Sequence, residues 1–210
     1  MPDLINSLDQ VIERINAFNA STNKRIIIGI VGKPGAGKST LTEHILSNLP
    51  KGVATIVPMD GYHLSNSQLA RLGLADRKGA PNTFDSEGYV NLLRRLRNDI
   101  DKDVYFPVFH REIEESYAAD GVVLAKTKIV LTEGNYLLLN EMGWQGVAGE
   151  LDEIWYVNID DDLRLDRLTK RHQKFGKDAD AAYAWARGTD EVNAKIVEAT
   201  ASKADYIINL

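Results

Sequence analysis

The stretch Arg25-Ile-Ile-Ile-Gly-Ile-Val-Gly-Lys-Pro-Gly-Ala-Gly-Lys38-Ser39-Thr40 decides the fold. Its first part is a short, uninterrupted apolar run rich in β-branched residues, the pattern of a strand covered on both faces as in parallel sheets. The glycine-rich turn that follows opens into Ser39–Leu49, a helical pattern ended by Pro50. Strand, tight glycine turn and helix thus follow one another within about one βα unit.

The same alternation continues outward. Val53–Val57, Lys128–Thr132, Glu153–Ile159 and Tyr206–Asn209 read as strands, and Asn66–Leu72, Glu87–Arg97, Leu163–Lys174 and a stretch around Ala179–Thr200 read as helical. Upstream, Leu4, Ile5, Leu8, Val11, Ile12, Ile15 and Phe18 recur at three- and four-residue spacing, which predicts an amphipathic helix within residues 1–22. The order predicts an α/β chain with a doubly wound, mostly parallel sheet flanked by helices. Two segments break the alternation: the loop Gly73–Phe84, with Arg77 and Lys78, and Asp103–Leu124, whose Tyr-Phe-Pro-Val-Phe run predicts a short hairpin. Long irregular segments inside a compact chain tend to serve a function.

The chain has 210 residues, 44% apolar and 26% charged, a size expected of one domain over 1–210. Its net charge of −5 argues against broad electrostatic binding of nucleic acid. With no cysteine, a disulfide framework, a thiolate metal site and a thiol nucleophile are excluded. Charged residues at Asp3, Asp9, Glu13 and Arg14 interrupt the first eighteen residues, unlike a signal peptide, and no apolar run is long enough for a membrane span. The expectation is a soluble cytoplasmic protein with no membrane partner.

Gly32 through Ser39 fits G-x-x-x-x-G-K-[ST] between a strand and a helix, the context in which that motif is a phosphate-binding loop. Backbone N–H groups at Gly32, Gly35, Ala36 and Gly37 can turn toward phosphate oxygens, and the helix start at Lys38, Ser39 and Thr40 adds partial positive charge. Lys38 suits the β- and γ-phosphates of a nucleoside triphosphate, and the Ser39 hydroxyl suits Mg²⁺. Glu133, directly after the strand Lys128–Thr132, is a candidate Mg²⁺ or water ligand, with a part in activating the acceptor as the lesser alternative. Asp60, after the strand Val53–Val57, is a candidate base that orients an acceptor hydroxyl and takes its proton. His63 is left open between touching a substrate and filling a turn. The run Asp160-Asp161-Asp162 reads as a helix cap rather than a metal cluster. Arg164, Arg167 and Arg171 lie at i, i+3 and i+7 of the next helix and predict an arginine face on a lid.

With those residues in view, the chain resembles the P-loop kinase group of pantothenate kinase, uridine kinase and phosphoribulokinase over nearly all of residues 25–210. The likeness lies in the P-loop, in Asp60-Gly-Tyr-His, Arg71-Leu-Gly-Leu, Arg77-Lys-Gly-Ala-Pro and Phe84-Asp85, in Thr132-Glu-Gly-Asn-Tyr, and in the end segments Val192–Thr200 and Lys203–Ile208. The resemblance implies a P-loop NTPase fold with a helical lid over residues 161–190, ATP and Mg²⁺, a base at Asp60, lid arginines at Arg167 and Arg171, and the homodimer frequent in that group as one assembly open to this chain. It also implies that Asn193 lies near the nucleotide base. Residues 73–124 would form the acceptor region.

There the chain departs from pantothenate kinases. Their Pro-Val-Tyr-x-His-x-x-Tyr run is Pro107-Val-Phe-His-Arg111-Glu-Ile-Glu114 here, so a hydroxyl, an imidazole and a phenol give way to Phe109, Arg111 and Glu114. A pocket built for one set of hydrogen bonds rejects ligands lacking the partners. With Arg77 and Lys78, these residues suit a sugar or nucleoside, and the chain looks most like a divergent nucleoside/nucleotide kinase-like branch. The expected activity is transfer of the ATP γ-phosphate to a hydroxyl of a small metabolite: a nucleoside, a sugar or a pantothenate-like acceptor. The alternatives are a nucleoside monophosphate kinase, with Arg77 and Lys78 as a second anion site, and a regulatory ATPase or GTPase, for which Asp85-Ser-Glu-Gly88 matches D-x-x-G.

Overall fold

The computed structural model describes residues 1–22 and 24–209. Strand β1 (Asp3–Ile5) and helix α1 (Leu8–Ser21) precede β2 (Ile26–Val31), which leads through the glycine turn to α2 (Lys38–Ser47). Next come β3 (Ala54–Pro58), α3 (Asn66–Leu72) and α4 (Ser86–Asn98), then β4 (Val104–His110), β5 (Glu115–Val123) and β6 (Ile129–Gly134). The chain closes with β7 (Glu153–Asn158), α5 (Asp161–Lys174), α6 (Ala179–Arg187), α7 (Thr189–Glu198) and β8 (Tyr206–Asn209).

Six strands form one parallel sheet in the order β1-β8-β7-β2-β6-β3, while β4 and β5 pair with each other as an antiparallel hairpin. Alternate residues of β2 feed opposite faces. Ile27 and Val31 join α4 residues Leu92, Leu93 and Leu96 in one core, and Ile26, Ile28 and Ile30 join Val11 and Ile15 of α1 and Leu41 and Ile45 of α2 in the other. All five β2 side chains are buried. At about 1.5–3 kcal/mol for each large aliphatic side chain, that burial fixes β2 in the centre. The doubly wound reading of the sequence holds. Among the described residues, no helix is long and apolar enough to cross a membrane.

Two expectations change. The N-terminal helix starts at Leu8 rather than Leu4, because Ser7 caps it by accepting from the Gln10 N–H, and Asp3–Ile5 instead pair in parallel with Tyr206–Ile208. Leu4 and Ile5 fit the helical spacing by coincidence, and the open edge of β8 takes them. The helical stretch near Ala179–Thr200 is two helices, broken at Gly188, whose φ of −98° and ψ of −96° leave the helical region.

Candidate active site

Strand register brings the chemistry together. β6 pairs with β2 on one side and β3 on the other, so Glu133 lies opposite Ile30 in one ladder and opposite Pro58 in the other. The P-loop after β2, Asp60 after β3 and Glu133 at the end of β6 therefore share the carboxyl edge of the sheet, where open α/β sheets hold their ligands. Gly37 caps α2 with φ of 92°, a left-handed conformation that suits glycine and lets the loop turn into the helix.

Lys38 is buried and donates from Nζ to the Gly32 carbonyl (2.9 Å), the Lys33 carbonyl (3.2 Å) and Asn135 Oδ1 (2.7 Å). Burial pushes its pKa down to about 8, against the pull of Glu133 and Asp60. Ser39 Oγ donates to Glu133 Oε1 at 2.8 Å. Burial raises the Glu133 pKa, with Lys38 opposing and Asp60 adding to the rise. Asp60 is held below its ordinary value: burial pushes it up, but His63, Arg111, Lys38 and Arg171 outweigh that. Two carboxylates at one sheet edge thus have environments that drive their titrations apart, a pattern common at catalytic sites.

The β4–β5 hairpin covers Asp60. Gly61 makes this approach feasible, since a Cβ there would collide with the Pro107 carbonyl. From the hairpin, Arg111 Nη2 donates to Asp60 Oδ2 at 2.6 Å. His63 stacks on Phe109 with ring centroids 4.5 Å apart and shares a 2.7 Å contact between Nδ1 and the Asp60 carbonyl. It packs in the turn after β3 and also lines the cavity described next.

A cavity of about 680 Å³ is lined by Gly35, Gly37, Lys38, Ser39, Thr40, Asp60, His63 and Lys78, by Phe109, Arg111, Glu114 and Glu133, and by Arg167, Arg171 and Asn193. Gly32 and Ala36 lie in the loop but do not line it; Gly32 offers its carbonyl to Lys38, and Ala36 packs into the core beneath. Asn193 is buried and donates from Nδ2 to the Gly79 carbonyl at 3.3 Å, in the loop Gly73–Phe84.

Three readings need correction or refinement. Arg77 is exposed and outside the cavity lining, because the short turn at Ala75–Arg77 directs Lys78 rather than Arg77 inward. Arg164 is buried rather than part of a free arginine face. It is bonded to Asp161 (2.7 Å), Glu191 (2.5 Å) and the Pro34 carbonyl (3.4 Å), so it ties α5 to α7 and the P-loop. Asp85 caps α4 by accepting from the Gly88 N–H at 2.9 Å, which accounts for the D-x-x-G match without a switch. The capping expectation for residues 160–162 is met: Asp160 Oδ1 accepts from the N–H groups of Asp162 and Leu163.

The sequence reading missed several wall residues. Asn135, which holds Lys38, directly follows Glu133-Gly134 and was within reach of the same strand-end argument. His172 and Asp190 meet at 2.6 Å from different helices beside Trp185, and no spacing in the sequence signals that contact.

Residues 27–210 match the phosphoribulokinase / uridine kinase family. The chain belongs to this family. It is 30% identical to a "putative uridine kinase" of Schizosaccharomyces pombe over 99% of this chain and 92% of that one. It is 27% identical to a uridine kinase of Streptococcus mutans over 88% of this chain and 87% of that one. Among solved structures, a "putative fructose transport system kinase" of Silicibacter superimposes with a TM-score of 0.85 at 33% identity, covering 96% of this chain and 98% of that one. The chain is accordingly a P-loop kinase, an ATP-dependent phosphotransferase acting on a hydroxyl of a small metabolite.

Proposed function

We propose that this kinase phosphorylates a hydroxyl of a small polyhydroxylated metabolite of the sugar or nucleoside class, with Asp60 as the base. The observation that carries the reading is the shared sheet edge, with Lys38, Ser39, Glu133 and Asp60 in one cavity under the Arg111 hairpin.

The residues fit both ATP and Mg²⁺. Lys38 is a buried cation held by neutral oxygens, an arrangement that phosphate oxygens would complete. Ser39 Oγ and Glu133 Oε1 are two hard oxygen donors 2.8 Å apart, the kind Mg²⁺ takes alongside phosphate and water. When bound, Mg²⁺ would neutralise charge on the β- and γ-phosphate oxygens.

The chain's own groups supply the rest. Arg111 fixes Asp60 Oδ2, which leaves Oδ1 for an acceptor hydroxyl, and together with His63, Lys38 and Arg171 it keeps the carboxylate ionised. Asp60 orients that hydroxyl and accepts its proton as the oxygen attacks phosphorus. In a loose phosphoryl-transfer transition state the orientation matters at least as much as the proton. Arg167 and Arg171 of α5 face the same cavity and would stabilise charge on the transferring group.

The test is ATP consumption with Mg²⁺ across sugars, nucleosides, pantothenate and nucleoside monophosphates. With the acceptor found, Asp60→Asn is expected to lower kcat by about 10²–10⁴ while ATP affinity stays within about twofold. Near-normal turnover in that variant would remove Asp60 from the role of base.

A further inference from the structure

Lys78 and Arg111 are cavity cations that the phosphate end does not account for. They come from different elements, the loop after α3 and the β4–β5 hairpin, yet both lie near the ring of Phe109. The Lys78 ammonium is 5.2 Å and the Arg111 guanidinium carbon 5.9 Å from its centroid. The Lys78 side chain is only 13% exposed. Its ammonium is held by neutral oxygens, Asn66 Oδ1 at 2.6 Å and the Glu114 carbonyl. The Glu114 carboxylate stands off at 3.8 Å on a side chain that is 55% exposed. Burial lowers the Lys78 pKa in spite of Glu114 and Glu115.

Arg111 directs one N–H of its fork at Asp60 and has four more to offer. Although the chain carries a net charge of −5, six Lys and Arg side chains face four Asp and Glu around this cavity. The ammonium is partly desolvated and its carboxylate partner Glu114 stands at the far limit of an ion pair, so a ligand that brings negative charge would complete its surroundings.

We infer that the acceptor carries an anionic group, a carboxylate or a phosphate, seated between Lys78 and Arg111 at the Phe109 ring. This rests on the kinase reading above. Arg111 then has two duties: bonded to Asp60 at one end and to the acceptor anion at the other, it registers the reacting hydroxyl against the base. The acceptor oxygen forms its bond to the γ-phosphorus as the bond from that phosphorus to the bridging oxygen breaks. ADP leaves with the electron pair, and the hydroxyl proton passes to Asp60. The anionic group itself is unchanged.

The test uses matched acceptors with ATP and Mg²⁺. D-glycerate and D-gluconate form a carboxylate arm, glycerol 3-phosphate and fructose 6-phosphate a phosphate arm, and glycerol, sorbitol, fructose and uridine an uncharged arm. Binding is measured by calorimetry with a non-hydrolysable ATP analogue in place, and phosphorus NMR locates the new phosphoryl group. One anionic arm should exceed its uncharged counterparts in kcat/KM by about 100-fold, and the winning arm tells carboxylate from phosphate. Lys78→Gln should raise KM for that acceptor about 30-fold, the scale of one charge-assisted hydrogen bond, with kcat within about threefold. Lys78→Arg, which keeps the charge, should restore most of the loss and control for folding.

The inference is overturned if an uncharged acceptor matches its charged counterpart, if Lys78→Gln leaves the anionic KM unchanged, or if the new phosphoryl group appears on an existing phosphate. It is also overturned if no anionic acceptor binds or reacts. The kinase reading stands or falls separately, on ATP binding that Lys38→Ala abolishes and on turnover of any acceptor, charged or not.

Discussion

Lys38 illustrates what one residue owes to its place in the fold. Its identity and helix-start position are legible in the G-x-x-x-x-G-K-[ST] spacing, but its depressed pKa depends on burial that only the folded chain creates. That value gives a signed prediction. Below about pH 8 the free protein carries a charged Lys38, ready for a polyanion. A bound triphosphate favours the charged form and raises its pKa, so binding takes up a proton once the pH reaches that of the free group. ATP affinity should be flat below about pH 8 and then fall by up to about tenfold per pH unit above it. Calorimetry in buffers of different ionisation enthalpy should show uptake of about half a proton near pH 8. An affinity that stays flat to pH 10 would mean that Lys38 keeps its ordinary pKa. Lys78 and Arg77 show the opposite case. They are neighbours of equal charge in one loop, and a single short turn decides that only Lys78 faces the cavity.

At the scale of elements, the central strands β2, β6 and β7 were read well because each is a short apolar run, and a run buried on both faces needs no partner to be recognised, whereas β1 was taken into the helical spacing. Helix α5 was read less well. Spacing put Arg164 on one face with Arg167 and Arg171, yet Arg164 is the fully buried member and serves as an anchor. What spacing along α5 cannot show is that Glu191 of α7 and the P-loop carbonyl of Pro34 lie across from it. Gly35 permits this contact, since a Cβ there would stand 2.7 Å from Leu168 Cγ. Arg164→Met should therefore loosen α5 from both neighbours. Removing one member of a buried ion pair costs about 3–5 kcal/mol, and the partial exposure of Asp161 and Glu191 puts the expected loss near about 3 kcal/mol in urea unfolding. A surface arginine would cost under about 1 kcal/mol, so the measurement separates anchor from lid face.

For the whole molecule, the decisive fact is that one sheet carries two cores. β2 gives Ile27 and Val31 to one and Ile26, Ile28 and Ile30 to the other, so neither layer can melt without stripping the strand that leads into the P-loop. The sequence conveys the two covered faces through the apolar run of β2, but not the strand order, which rests on pairings across as many as about two hundred residues. The expectation of one domain over residues 1–210 then predicts a single cooperative unfolding transition by both tryptophan fluorescence and far-ultraviolet circular dichroism. Trp144 and Trp155 are buried in opposite cores and report on each layer separately. With Trp185 also changed to Phe, replacing either Trp144 or Trp155 with Phe isolates the signal of the other, and coincident midpoints are the expected result. A nucleotide held at the shared sheet edge should lift both midpoints together. At one hundred times its dissociation constant it stabilises by about 2.7 kcal/mol, equivalent to about 5–11 °C for a chain of this size. Separate transitions, or a shift confined to the Trp155 layer beneath the P-loop, would divide the chain into two units and count against a site shared by both.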